Sequence, residues 1–148
     1  MKRHCKHEFM NNKFYISTDK DKLDVKLILD FLNNDSYWAK GRSIETIQKS
    51  IENSLCFGIY KDSQQIGFAR VVTDYSVFAW ILDVFILKEF REQGLGVKLM
   101  ESIMNHEELQ NLQRWGLATD DAHGLYEKFG FELIKRPEIF MEFVSTPS

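Results

Sequence analysis

Residues Phe85 to Met100 (FILKEFREQGLGVKLM) constrain this chain more than any other stretch. A hydrophobic run ends at Leu87 and a polar loop comes after it. Gly94 and Gly96 flank Leu95, and apolar residues then recur at Leu99, Met100, Ile103 and Met104 with helical spacing. A strand, a glycine-bearing loop and an amphipathic helix in that order build an anion site. Glycine lets successive backbone N–H groups point into one concavity, and the free N–H groups of the helix start add the positive end of its dipole. A phosphorylated ligand can be held this way without many basic side chains. The chain needs that economy, because its 19 Lys+Arg are outnumbered by 22 Asp+Glu for a net charge of −3.

The same balance leaves no basic footprint for nucleic acid. With 148 residues the length suits one domain. A globule of this size buries about 70% of its unfolded surface, and a 44% hydrophobic, 14% aromatic composition can fill the core and excludes the disordered classes. The longest apolar stretch, Val77 to Leu87, is interrupted by Asp83 and falls short of the roughly 20 residues of a membrane span. The charged start, Met1 to Glu8, lacks an apolar segment for secretion. These features predict a cytoplasmic protein with a flexible leader over residues 1–12 and a single domain over 13–148. Cys5 and Cys56 are far apart and read as free thiols. His4, Cys5 and His7 are metal-ligand types, but no partner pair occurs downstream, so no metal is expected.

Patterning predicts strands at Lys13–Ser17, Leu55–Tyr60, Ile66–Thr73 and Phe78–Leu87, with polar turns between the last three. Leu23 to Leu32 fits both a helical period and a strand alternation; its length and the closing Asn33-Asn34-Asp35 favour a helix. Ser43 caps a second helix carrying Ile44, Ile47 and Ile51. Between these two helices lies Ser36 to Arg42, an aromatic and basic connection suited to shaping a substrate pocket. Leu112 to Thr119 reads as a strand, and then comes a helix through Ala122, Leu125, Tyr126 and Phe129, with Asp120 or Asp121 as N-cap and Gly130 as the left-handed stop. Glu138 to Val144, after Pro137, reads as a last strand. The order β-α-α-β-β-β-α-β-α-β describes a mixed α/β sheet flanked by helices.

Which phosphate motif does the loop carry? The Walker pattern is absent, and the dinucleotide fingerprint requires a glycine where Leu99 stands and a turn directly after the strand. What remains is Arg91-Glu92-Gln93-Gly94-Leu95-Gly96, an Arg-x-x-Gly-x-Gly loop. A second block, Thr119-Asp120-Asp121-Ala122-His123-Gly124-Leu125-Tyr126-Glu127-Lys128-Phe129-Gly130-Phe131, lies after the next strand. Together the two blocks resemble the GNAT N-acetyltransferases, whose second block reads Asn-x-x-Ala-x-x-Leu-Tyr-x-x-x-Gly-Phe; only Thr119 departs from it. The likeness runs from Phe14 to Val144 and implies a mostly antiparallel GNAT sheet.

The resemblance implies acetyl transfer from acetyl-CoA to a primary amine by direct attack in a ternary complex. It places the pyrophosphate over the backbone of Arg91, Glu92, Gln93, Gly94, Leu95, Gly96 and Val97, and the pantetheine arm along Val84, Phe85 and Ile86. Thr119, Ala122 and Tyr126 complete the cofactor side, with Arg91 as an added phosphate contact. A main-chain N–H near Val84 or Phe85 would meet the oxyanion, and Tyr126 would protonate the leaving thiolate.

An alkyl ammonium must lose a proton before attacking. Asp83, the one charge in an apolar strand, is the candidate base, set against a structural pairing with Arg70. Asp74, Asp120, Asp121 and His123 are weaker candidates. Tyr37 and Trp38 are expected to line the acceptor pocket, while Trp80 and Trp115 read as core. Neither block holds a cysteine, which speaks against an acetyl-enzyme route. The acceptor is a small-molecule or peptide amine, and a homodimer fits this size class. The alternative is a non-catalytic acyl-CoA-binding sensor, left open by Thr119 and by the unsettled base.

Overall fold

A computed structural model of the chain describes residues 8–9 and 13–145. Six strands lie side by side in sequence order: β1 (Glu8–Phe9), β2 (Phe14–Ser17), β3 (Leu55–Lys61), β4 (Gln64–Thr73), β5 (Phe78–Ile86) and β6 (Arg114–Leu117). All neighbours are antiparallel except β5 and β6. That parallel pair needs a crossover, which α3 (Leu95–Met104) supplies. The remaining helices are α1 (Val25–Asn34), α2 (Ile44–Glu52) and the short α4 (His123–Glu127).

Two apolar clusters account for this layering. Ile28, Phe31 and Leu32 of α1 and Ile47 and Ile51 of α2 pack with Cys56, Phe68 and Phe85 of the sheet. Leu95, Leu99, Met100 and Ile103 of α3 and Tyr126 of α4 pack with Phe57, Ile59, Ile66, Val71 and Ile81. Each fully buried side chain of this kind stabilises by about 1.5–3 kcal/mol. The helix starts carry the residues such ends require. Asp24 accepts from the Leu27 N–H at 3.0 Å and Ser43 from the Thr46 N–H at 3.1 Å, and Gly94, at φ 77°, holds the left-handed entry to α3.

Two irregularities in β5 shape the centre of the molecule. Phe68 pairs with Phe85 and Arg70 with Leu82, so Asp83 and Val84 together oppose Ala69 in a bulge. Asp83 takes φ 56°, a left-handed conformation that a short acidic residue tolerates better than most. The bulge shifts the alternation of the strand by one residue. Ile81 and Val84 pack against the α3 side, while Phe85 faces α1. In addition, β6 pairs with β5 only from Phe78 to Ile81. Beyond Ile81 the two strands part.

Three expectations need correction. Glu138 to Val144 forms no strand: Pro137–Ile139 makes a 3-10 turn and Phe140 to Val144 is exposed, with no strand partner among the described residues. The fourth helix is shorter than its apolar pattern, and neither Asp120 nor Asp121 caps it; the Thr119 hydroxyl accepts from the Ala122 N–H at 3.1 Å instead. Gly130 does stop the helix region, at φ 93°, with the Phe131 N–H bonded to the Tyr126 carbonyl. The strand expected at Leu112–Thr119 is reduced to Arg114–Leu117. At the front of the chain, Glu8–Phe9 pairs with β2, and residues 1–7 and 10–12, with His4, Cys5 and His7, lie outside the described residues.

Candidate active site

The parting of β5 from β6 opens the centre of the molecule. A cleft of about 430 Å³ runs between the loop after β5 and α4, lined by Val84, Phe85 and Ile86 on one wall and Ala122, Leu125 and Tyr126 on the other. Its floor is Arg91, Glu92, Gly94, Leu95 and Gly96. Lys98 is the first residue of α3 to bond back, to the Gly94 carbonyl at 3.1 Å. The N–H groups of Glu92 through Val97 find no acceptor among the described residues. Six unmated donors at a helix entry, on a loop held open by the positive φ of Glu92 and Gly94, form an anion cradle. The Arg91 Nε donates to the Ile86 carbonyl at 2.9 Å, fastening the loop to the end of β5. Gln93 and Val97 do not line the cleft.

Next to it lies a second cleft of about 290 Å³, lined by Tyr37, Trp38, Arg42, Trp80, Asp83, Thr119, Asp120, Asp121 and Tyr126. The two share Tyr37, Trp38, Val84, Asp121, Ala122 and Tyr126, so they form one passage. Tyr126 sits at the junction, 8% exposed, and its hydroxyl engages no protein hydrogen-bond partner among the described residues. Burial, with the neighbouring Tyr37 and Asp121 charges adding to it, pushes its hydroxyl up to about 12. A tyrosine so placed holds its proton at neutral pH and can give it away.

The loop between α1 and α2 roofs this passage. Tyr37 Oη accepts from the Asp120 N–H at 3.1 Å, reaching across to the β6–α4 connection. Its ring meets Trp38 edge-on at 5.0 Å. Both residues line the second cleft.

Asp83 is buried at the back of the second cleft and fully committed. Its Oδ1 accepts from Trp38 Nε1 at 3.0 Å, and its Oδ2 accepts from Arg42 and from Arg70 Nε, both at 2.9 Å. This is the structural pairing with Arg70, not an unengaged base. Arg42, the basic end of the aromatic connection before the Ser43 cap, lines the second cleft, and the sequence alone gives no sign that it pairs with Asp83. Trp80 is not purely core either: it is half-buried, stacks on Phe78 at 6.0 Å and lines the second cleft. Trp115, edge-on to Phe131 at 6.5 Å, packs against the core from a partly exposed position. Of the weaker candidates, Asp121 alone lines both clefts. Asp74 is remote from the passage, in the β4–β5 turn, where it accepts from three backbone N–H groups. Cys56 is free and buried, with burial pushing its thiol up to about 11.

Among the described residues no group of His, Cys, Asp and Glu is arranged to hold a metal, and no helix is long and apolar enough to cross a membrane.

The comparisons with known proteins agree with this geometry. Residues 52–133 match the model of the acetyltransferase (GNAT) domain family. A Gibberella zeae protein named as a candidate acetyltransferase is 30% identical over 137 residues, spanning 78% of this chain and 76% of that protein. The crystal structure of a candidate GNAT acetyltransferase from Xanthomonas campestris superposes with a TM-score of 0.88 at 43% identity, covering 90% of this chain and 94% of that one. A candidate acetyltransferase of Clostridium acetobutylicum, solved with acetyl-CoA, shares the fold at 14% identity, with a TM-score of 0.65 over 88% of this chain and 94% of its own.

Proposed function

Since this chain belongs to the GNAT acetyltransferase family, we propose that it moves an acetyl group from acetyl-CoA to a primary amine by direct attack in a ternary complex. The observation that carries this reading is the row of unmated N–H groups from Glu92 to Val97, which fits a pyrophosphate in charge and shape. Acetyl-CoA supplies an activated thioester. The protein's part is to bind, orient and move protons.

In this reading the exposed edge of β5 beyond Ile81 orients the pantetheine arm, and a main-chain N–H near Val84 or Phe85 faces the carbonyl oxygen. One such donor is worth about 3 kcal/mol of barrier. Tyr126 gives its proton to the departing sulfur. The amine enters through the second cleft, between the rings of Tyr37, Trp38 and Trp80, which suit a cation. Asp121, at the overlap of the two clefts, receives the ammonium, which loses one proton to solvent before attack; the nitrogen sheds its second proton to the Tyr126 oxygen that protonated the sulfur, while Asp83 holds the roof through Trp38 and Arg42 and acts as a positioning residue.

Release of free CoA from acetyl-CoA across a panel of primary amines tests the proposal. Turnover above the blank is expected, falling at least tenfold in Tyr126→Phe. Stabilisation by acetyl-CoA with no turnover on any amine would instead identify a non-catalytic acyl-CoA sensor.

A further inference from the structure

One carboxylate at the back of the second cleft meets two guanidinium groups. Asp83 Oδ2 accepts from Arg70 Nε and from Arg42 Nη1, and the Trp38 indole takes Oδ1. Arg70 is the interior partner: its side chain is 11% exposed, and its Nη1 donates to the Ser54 hydroxyl. That pair by itself balances the buried charge. Arg42 is therefore the surplus cation, and it is the one that lines the cleft, with its side chain 26% exposed. Its Nη1 bonds Asp83, while its Nε and Nη2 donate to no acceptor among the described residues.

The surrounding chain fixes where this cation stands. Asn33 Nδ2 donates to the Arg42 carbonyl at 3.0 Å, Asn33 Oδ1 accepts from the Gly41 N–H at 2.8 Å, and the adjacent Ser43 caps α2. A side chain held at its backbone and at Nη1 has little rotamer freedom left to lose when a ligand arrives. Charge of the other sign stands where the two clefts join. Asp121 lines both clefts, whereas Arg42 lines only the second. The passage thus offers an acid beside Tyr126 and a guanidinium farther in.

We propose that the acceptor is a free amino acid, a small molecule bearing both a primary amine and a carboxylate, and that Arg42 anchors the carboxylate. This rests on the acetyl-transfer reading and names its acceptor. The amine lies toward Asp121 and Tyr126, the carboxylate on the open N–H groups of Arg42, and the carbon skeleton among the rings of Tyr37, Trp38 and Trp80. A planar pair of oxygens matches the guanidinium fork. It also supplies the second counter-charge that Arg42 and Arg70 lack while they share Asp83. A phosphate dianion suits the place less, because it would set two negative charges beside Asp83. The cleft, at about 290 Å³, stands at the small end of ligand sites, which suits a free amino acid better than a peptide.

CoA release from acetyl-CoA tests it, with glycine, β-alanine, leucine and phenylalanine as acceptors, each beside its own carboxamide, and kcat/KM expressed per free-base amine. At least one acid should exceed its amide by roughly tenfold or more, chiefly through KM. In Arg42→Gln that acid-to-amide ratio should fall to within about threefold of unity. Taking the ratio within each variant cancels any general loss from a disturbed roof. Arg42→Lys keeps a positive charge opposite Asp83, and so guards against a Gln variant that does not fold; without the fork, its ratio should fall between the other two. Calorimetry on the wild-type protein saturated with CoA adds a reading that needs no turnover: the acid should bind roughly tenfold tighter than the amide. Amides used as well as acids, or a ratio that Arg42→Gln leaves intact, overturn the carboxylate anchor while acetyl transfer stands. If no amine is turned over, acetyl transfer fails, and the calorimetry alone decides the anchor: tighter binding of the acid supports it, and equal or absent binding overturns it.

Discussion

The indole N–H of Trp38 donates to Asp83 Oδ1 over 3.0 Å, joining the α1–α2 loop to the bulge of β5 across 45 residues of sequence. With Arg42 and Arg70 on the other oxygen, one carboxylate holds the roof of the second cleft, the strand behind it and the end of α2, which Arg70 reaches through the Ser54 hydroxyl at 3.0 Å.

Asp83→Ala should therefore cost about 3–5 kcal/mol, because it strands Arg70 and Arg42 without their counter-charge. Urea unfolding measures this. A loss below 1 kcal/mol would show that the carboxylate does not tie these elements together.

Gly94→Ala tests the cradle without touching a side chain. At φ 77° an alanine is strained by roughly 1–2 kcal/mol, and relief of that strain would turn the loop's N–H groups away. The rise in melting temperature that acetyl-CoA produces in the wild type should shrink in the variant by more than its own loss of stability explains.

A donor tyrosine of ordinary acidity would begin to lose its proton near pH 10. Tyr126 is pushed up to about 12, so it stays protonated across the range in which amines become free bases. The kcat/KM profile should thus still be rising through about pH 10, where the amine itself titrates, with no falling limb from a tyrosine in that range. A decline centred between about pH 9 and 10 would contradict this placement.

Tyr60 offers a change in the opposite direction. Its hydroxyl is buried over Gly58 and has no hydrogen-bond partner among the described residues. Removing an unsatisfied buried oxygen relieves its desolvation, so Tyr60→Phe should stabilise by roughly 1 kcal/mol. Thermal unfolding at neutral pH reads the sign.

Much of the fold is legible in the residues. Ser43 before Ile44, Ile47 and Ile51 marks α2, and the polar turns at Asp62 and Asp74 separate three strands that pair as expected. Gly94 and Gly96 mark the loop and the start of α3, where Gly94 takes φ 77°. What stays hidden depends on partners distant in sequence. Tyr37 meets Asp120 across 83 residues, and Asp83 is claimed by donors from two other elements. Residue types alone offer no way to tell a base from a buried counter-ion when the deciding contact is tertiary. The last strand fails for the same reason: alternation at Phe140–Val144 states a preference for extension, but pairing requires an available edge.

Where β5 and β6 separate past Ile81, the sheet surrenders a few interstrand bonds to create a slot walled by peptide groups. Peptide groups are common to every residue type, so mutation can remodel the rings and carboxylates of the second cleft while the backbone of the first survives unaltered. Under the proposed function, a lineage carrying this slot is free to try new acceptors without relearning how to grip the coenzyme.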